Sequence, residues 1–172
     1  AALGLDRIAE LTHFAATSED VNSLAYALTV QRAVERVWLP ALSAVRERLD
    51  ELAVEHREAP MLSRTHGQPA TPTTMGKEIA VFAARLARVE RAIQASEYLG
   101  KFSGATGTWA AHLAAGPDVD WPLVAREFVE SLGIGFNPLT TQIESHDWQA
   151  ELYSRISHAN RVLHNLCTDI WT

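Results

Sequence analysis

Apolar residues recur every three to four positions over most of the chain, which is the spacing of one face of an α-helix. Val21, Leu24, Leu28, Val34, Trp38, Leu42, Val45, Leu49 and Leu52 trace such a stripe and predict a helix from about Ser18 to Glu58. That is far longer than the ~11–12 residues usual in globular proteins. Pro40 falls inside it and removes one helical hydrogen bond, but the stripe resumes in phase, so a kink is expected rather than a stop. Pro60 closes the segment. Met75, Ile79, Phe82, Leu86, Val89 and Ile93 predict a second helix, with Thr71 as its N-cap, Pro72 in its first position and an end near Gly100. A Gly-rich, mostly irregular stretch covers 101–120. Trp121-Pro122 then opens a short helix through Leu132, Gly133 and Gly135 end it, and Asn137-Pro138 marks a turn. A last helix runs from about His146 through Leu152, Ile156, Val162, Leu163 and Ile170.

Few positions read as strand. The fold class predicted is all-α, an elongated bundle of long helices forming a single domain over residues 1–172. The five Trp residues mostly fit helix stripes and read as core. The apolar stripes of 18–58 and 147–171 are wide enough to meet partners on more than one side.

Composition narrows the class. A chain of 172 residues can bury one substantial core, and 47% hydrophobic with 21% charged residues is ordinary globular content. The net charge of −6, with acids and bases interspersed, argues against a nucleic-acid surface and leaves room for a local basic pocket. Cys167 is alone, so no internal disulfide forms and a Cys-based zinc site is disfavoured; a reducing cytoplasm is the simplest setting. No apolar run approaches membrane-spanning length. The opening Ala1–Asp6 lacks the basic and apolar blocks of a signal peptide and has no initiator Met, while helical spacing persists to Trp171 without a cap. The chain reads as a piece of something longer.

Three polar breaks interrupt the helical pattern. Thr17-Ser18-Glu19-Asp20-Val21-Asn22 begins the longest helix, and Thr17 with Asp20 fits a loose capping box. Its hydroxyls and exposed N–H groups serve either as a cap alone or as a seat for a carboxylate or phosphate. Glu19 and Asp20 oppose an anion there unless they point away or pair with a base. Ser63-Arg64-Thr65-His66-Gly67-Gln68-Pro69-Ala70-Thr71-Pro72 lies between two long helical patterns, and Gly67, Pro69 and Pro72 stop a helix from running through it. It is either a plain polar loop or a site: Thr65 and Gln68 can hydrogen-bond a ligand, and an imidazole at His66 can transfer a proton. Arg64 pairs with a substrate acid or with a neighbouring Glu. The third break, Thr140-Thr141-Gln142-Ile143-Glu144-Ser145-His146-Asp147, offers the Gln142 amide and a capping Asp147; on its own it reads best as a solvated loop.

The remaining histidines carry less. His13 and His112 sit in short apolar neighbourhoods, and His56, His158 and His164 fall within helices; all read as packed or surface side chains. No pair has the neighbours of a metal cage, and no phosphate loop, nucleophile elbow or dinucleotide fingerprint occurs.

Taken together, the three breaks resemble conserved regions of the fumarase/aspartase superfamily of lyases, most closely its bacterial branch acting on purine intermediates. Thr17–Asn22 matches a T-S-x-D-x-N pattern, and Thr65–Thr74 matches T-H-G-Q-x-A-x-P-T-T. Tyr98–Ala105 and Thr140–Asp147 are similar to that branch, and the resemblance covers nearly the whole chain. It implies an anti β-elimination releasing fumarate, from adenylosuccinate to give AMP and from the succinyl-carboxamide ribotide to give AICAR. It also implies that His66 is the general acid, that Thr17 and Ser18 bind the substrate's acidic groups, and that Gln142 makes a further contact, supported by Thr65 and Gln68. The partner is a small nucleotide substrate, with no nucleic-acid polymer, no membrane, no metal and no other cofactor. The superfamily's third region, S-S-x-M-P-x-K-x-N, carries the proposed base and a lysine, and it does not occur in these residues. Because the superfamily builds each site from three subunits of a homotetramer, the chain alone is expected to be inactive. The rival readings are another superfamily lyase or cycloisomerase, and a non-catalytic helical assembly module.

Overall fold

The structure is a computed structural model that describes Gly4 and residues 6–172; the reading made of the opening Ala1–Asp6 falls mostly outside the described residues. The described residues are mainly helical, as the periodicity predicts. After a 3-10 segment at Asp6–His13 come α1 (Ser18–Ala33), a π turn (Val34–Trp38) and α2 (Leu39–Glu55). The strands β1 (Pro60–Thr65) and β2 (Gln68–Thr74) lead into α3 (Met75–Gln94). Then follow β3 (Leu99–Gly100), α4 (Ala110–Ala115), α5 (Trp121–Ser131), β4 (Gly135–Phe136) and α6 (Asp147–Trp171). No helix among the described residues is long and apolar enough to cross a membrane.

The kink expected at Pro40 takes the form of a widened turn just before it. The Leu39 N–H reaches back to the Val34 carbonyl, one residue further than in an α-helix. Pro40 has no N–H, and its ring crowds the carbonyl four residues back, so one extra residue in the turn relieves both problems. Helix α2 stops at Glu55 rather than Glu58. Ala59 precedes Pro60, and a residue before proline is pushed out of the helical region. The chain therefore turns back at once, through the Ala59 N–H to the His56 carbonyl at 3.1 Å.

The largest departure from expectation is the segment 60–74. It forms an antiparallel hairpin instead of a loop, with Leu62 opposite Pro72, Arg64 opposite Pro69 and Thr65 opposite Gln68. A bulge follows Leu62, where the Ser63 hydroxyl donates to the Thr71 carbonyl. Two strands alone have only edges, and an edge tolerates prolines whose missing N–H faces outward. Thr71 is thus in β2 and caps nothing. Thr74, with extended backbone, is the N-cap of α3, and its Oγ1 accepts the Lys77 N–H at 3.2 Å. Helix α3 also ends at Gln94, well before Gly100, because Leu99 and Gly100 pair in parallel with Gly135 and Phe136.

The chain forms two compact units: residues up to Gln31 with Glu97–Gln149, and Arg32–Ser96 with Ala150–Thr172. In the first, Leu24, Ala27, Tyr98, Ala125, Val129, Ile134 and Trp148 are buried, and the Tyr98 and Trp148 rings meet edge to face at 5.7 Å. In the second, α2 and α3 pack antiparallel. Glu90 accepts from Ser43 and from Arg46 Nε (2.7 Å), while at the other end the Gly76 N–H reaches the His56 carbonyl at 3.0 Å. Phe82, Leu86, Val89 and Ile93 of α3 are buried there, as are Leu152, Ala159 and Val162 of α6. Trp171 is 81% exposed and is not core.

Candidate functional site

In the first unit the candidate residues gather at the start of α1. The Thr17 N–H donates to Asp20 Oδ2 at 2.9 Å, which is half of the expected capping box. The other half is not made in the usual way. Thr17 Oγ1 instead accepts from Gln142 Nε2 at 3.2 Å, so the first and third polar breaks meet. Ser18 is exposed beside them at the helix start, where a helix presents unpaired N–H groups and a partial positive charge.

The two acids that oppose an anion at this place both have partners of their own. Glu19 Oε1 accepts from Asn22 Nδ2 at 2.9 Å. Asp20 is fully buried and pairs with the equally buried Lys101 Nζ at 2.7 Å, so its charge is neutralised inside the unit. Asp20 Oδ1 also accepts the Ser103 N–H (3.0 Å), and Oδ2 the Gly104 N–H (3.1 Å). With Asp20 ion-paired to Lys101 and Glu19 bonded to Asn22, the groups offered to a ligand are two hydroxyls, an amide and a helix N-terminus, a set suited to a carboxylate or phosphate.

The loop carrying Gln142 is more ordered than a solvated connection. Glu144 is buried, accepts from Asn137 Nδ2 at 2.8 Å and the His146 N–H at 2.7 Å, and so pins both ends of the turn. Asp147 is the first residue of α6. The loop walls a surface recess of about 540 Å³ beside Thr140, Ile143 and His146.

In the second unit, His66 and Gly67 are the two-residue turn between β1 and β2. Both have positive φ, 52° and 74°, the sign pattern of a type I′ hairpin turn. Glycine adopts it freely, and histidine is among the few side chains enriched there. The turn lifts the His66 imidazole to the exposed tip of the hairpin. Thr65 and Gln68, paired directly across the ladder, stand side by side below it and are also exposed. Arg64 makes no ion pair among the described residues, so the option of a neighbouring Glu is not taken up.

Sequence reasoning passed over Lys101, Ser103 and Glu144. A lone Lys inside Gly100-Lys101-Phe102-Ser103-Gly104 gives only a weak signal: a charge in an otherwise apolar, Gly-rich stretch. His112 proves fully packed, between the Phe102 ring at 5.5 Å and the Trp121 ring at 5.0 Å. Burial holds its imidazole below the ordinary histidine range; Asp20 pulls in the opposite direction and Lys101 adds to the lowering. Among the described residues no three His, Cys, Asp or Glu side chains are grouped to hold a metal ion.

A family model described as "Lyase" matches residues 3–172. Adenylosuccinate lyase of Escherichia coli K12 is 48% identical over 167 residues, covering 97% of this chain and 37% of that protein. Adenylosuccinate lyase of Legionella pneumophila Corby is 47% identical over 160 residues, 93% of this chain and 35% of that one. Among solved structures, a fumarate lyase from Mesorhizobium sp. BNC1 superposes with a TM-score of 0.77 at 30% identity, over 92% of this chain and 36% of that one. A 3-carboxy-cis,cis-muconate lactonizing enzyme from Pseudomonas putida superposes at 0.79 with 24% identity, over 98% and 37%, and shares the fold. The chain thus spans about 37% of the length of the curated relatives it matches.

Proposed function

This chain belongs to the lyase family, and from that membership we propose that it is the central helical part of an adenylosuccinate lyase. The complete protein would release fumarate by β-elimination from adenylosuccinate, giving AMP, and from the succinyl-carboxamide ribotide, giving AICAR. The observation that carries the reading is 48% identity to an adenylosuccinate lyase over 97% of the chain. In the reaction a base takes the proton from the carbon next to a carboxylate. The electron pair then forms the double bond of fumarate as the C–N bond breaks, and an acid returns a proton to the departing nitrogen.

His66 is the acid in this reading. Its support is its presentation on a turn that leaves the imidazole open to a ligand, as a proton donor needs. Thr17, Ser18 and Gln142 bind an acidic group of the substrate, supported by the Thr17–Gln142 contact and by the pairing of Asp20 with Lys101 and of Glu19 with Asn22. Thr65 and Gln68, flanking His66, orient the substrate without titrating. The S-S-x-M-P-x-K-x-N region does not occur in these 172 residues. The base therefore comes from another part of the protein, in a site shared between subunits of a homotetramer in the cytoplasm, and the chain by itself is inactive.

The test uses the complete protein. It should release fumarate from adenylosuccinate, and His66→Ala should lower kcat by about 10²-fold or more with the oligomer intact. No fumarate from adenylosuccinate, together with turnover of another succinyl compound, would reject the substrate assignment. Loss of assembly with normal turnover per site in His66→Ala would favour a purely structural hairpin.

A further inference from the structure

We propose that the buried Asp20–Lys101 ion pair is the positioning element of the Thr17–Gln142 site, fixing both of its walls at once. The inference rests on the reading of that site as substrate-binding. Neither residue reaches the surface, so both act through others.

The connections close into a ring. Asp20 holds the Thr17 N–H at 2.9 Å on one side and the Ser103 and Gly104 N–H groups at 3.0 and 3.1 Å on the other. Lys101 Nζ binds Asp20 and also the Gly104 carbonyl at 2.9 Å. The Ser23 hydroxyl lies 3.3 Å from both the N–H and the carbonyl of Lys101, so α1 is joined to this segment a second time. From there Ser103 Oγ meets Thr140 Oγ1 at 3.2 Å, two residues before Gln142. The Gln142 amide returns to Thr17 at 3.2 Å and completes the circuit.

A buried ion pair is a poor way to gain stability, because desolvation offsets much of the attraction and apolar replacements are often neutral or better. What it supplies here is direction. One carboxylate takes the Thr17 N–H from its own segment and the Ser103 N–H from 83 residues further along the chain, and so fixes their separation. Its lysine also cancels a negative charge directly beneath a helix N-terminus that is to receive an anion. Displacing these donors weakens a contact made to the substrate's acidic group in the ground and transition states alike, which raises KM more than it lowers kcat.

The experiment compares Asp20→Asn, Lys101→Met, their combination, and Ser103→Ala/Thr140→Val, all in the complete protein. The last variant cuts the ring outside the ion pair, so it answers the question even if the charge variants fail to fold. It should keep its oligomeric state and melting temperature but raise KM for adenylosuccinate at least tenfold, with a smaller change in kcat. In its crystal structure the Thr17 Oγ1–Gln142 Nε2 separation should exceed hydrogen-bonding distance. The double charge variant should melt higher than either single one while KM stays raised. Normal KM in Ser103→Ala/Thr140→Val, or an unchanged Thr17–Gln142 distance, overturns the proposal. Wild-type protein that releases no fumarate from adenylosuccinate would reject the substrate reading instead, and the distance measurement would still decide the positioning role.

Discussion

Gly107 offers a quantitative test of how tightly the Gln142 loop is held. Its φ of +75° lies in the left-handed region, and a Cβ added there would overlap the Thr140 carbonyl oxygen and lie 2.8 Å from the Thr140 carbonyl carbon and the Thr141 oxygen. Two costs follow for Gly107→Ala. The left-handed backbone costs about 1–2 kcal/mol for an L side chain, and forcing the loop outward adds about 1–3 kcal/mol. The sum is about 2–5 kcal/mol. Gly133 separates the two terms: it lies in the same unit with φ +83°, and a Cβ there would meet nothing within 4 Å. Gly133→Ala should therefore cost only the backbone term, about 1–2 kcal/mol. Denaturant unfolding followed by tryptophan fluorescence gives both values. Gly107→Ala should also weaken substrate binding, because Thr140 and with it Gln142 must move. Equal costs for the two variants would refute the claim that this loop is closely packed against the 101–107 segment.

Other outcomes follow from buried charge. Glu90→Ala removes the acceptor of Ser43 and Arg46 between α2 and α3, and should cost about 2–4 kcal/mol in thermal or denaturant unfolding. That contact also raises the Arg46 guanidinium pKa, chiefly through the hydrogen bond that Arg46 donates to Glu90; a loss below about 0.5 kcal/mol would show the pair to be a solvent-screened surface contact. His112 predicts a pH effect. Its pKa is depressed in the folded protein by burial, so the unfolded chain binds its proton first. The associated stability is complete above the unfolded value of about 6.5 and is lost as pH falls through the lower folded value, by at most about 1.4 kcal/mol per pH unit. Melting curves from pH 7.5 to 5 should fall more steeply for wild type than for His112→Phe, and parallel curves would exclude His112 as the cause.

Local periodicity was enough to predict the helical class, because a stripe at i, i+3, i+4 records which face of a helix is buried and needs no knowledge of the partner. Phe82, Leu86, Val89 and Ile93 are buried as that spacing requires. The polar breaks were legible for a similar reason: Gly, Pro and clustered hydroxyls mark where a helix cannot run. The hairpin was not, since pairing Leu62 with Pro72 depends on where the chain returns, and its prolines are also the signature of a helix start. Lys101 was silent because its meaning lies in a carboxylate far away in sequence, and Thr17 with Gln142 meets across 125 residues. The sequence alone therefore determined the helices, their breaks and the kinds of chemical group at each break. Only the tertiary structure decided which breaks meet, which acids are neutralised, and that His66 stands at the exposed tip of a turn.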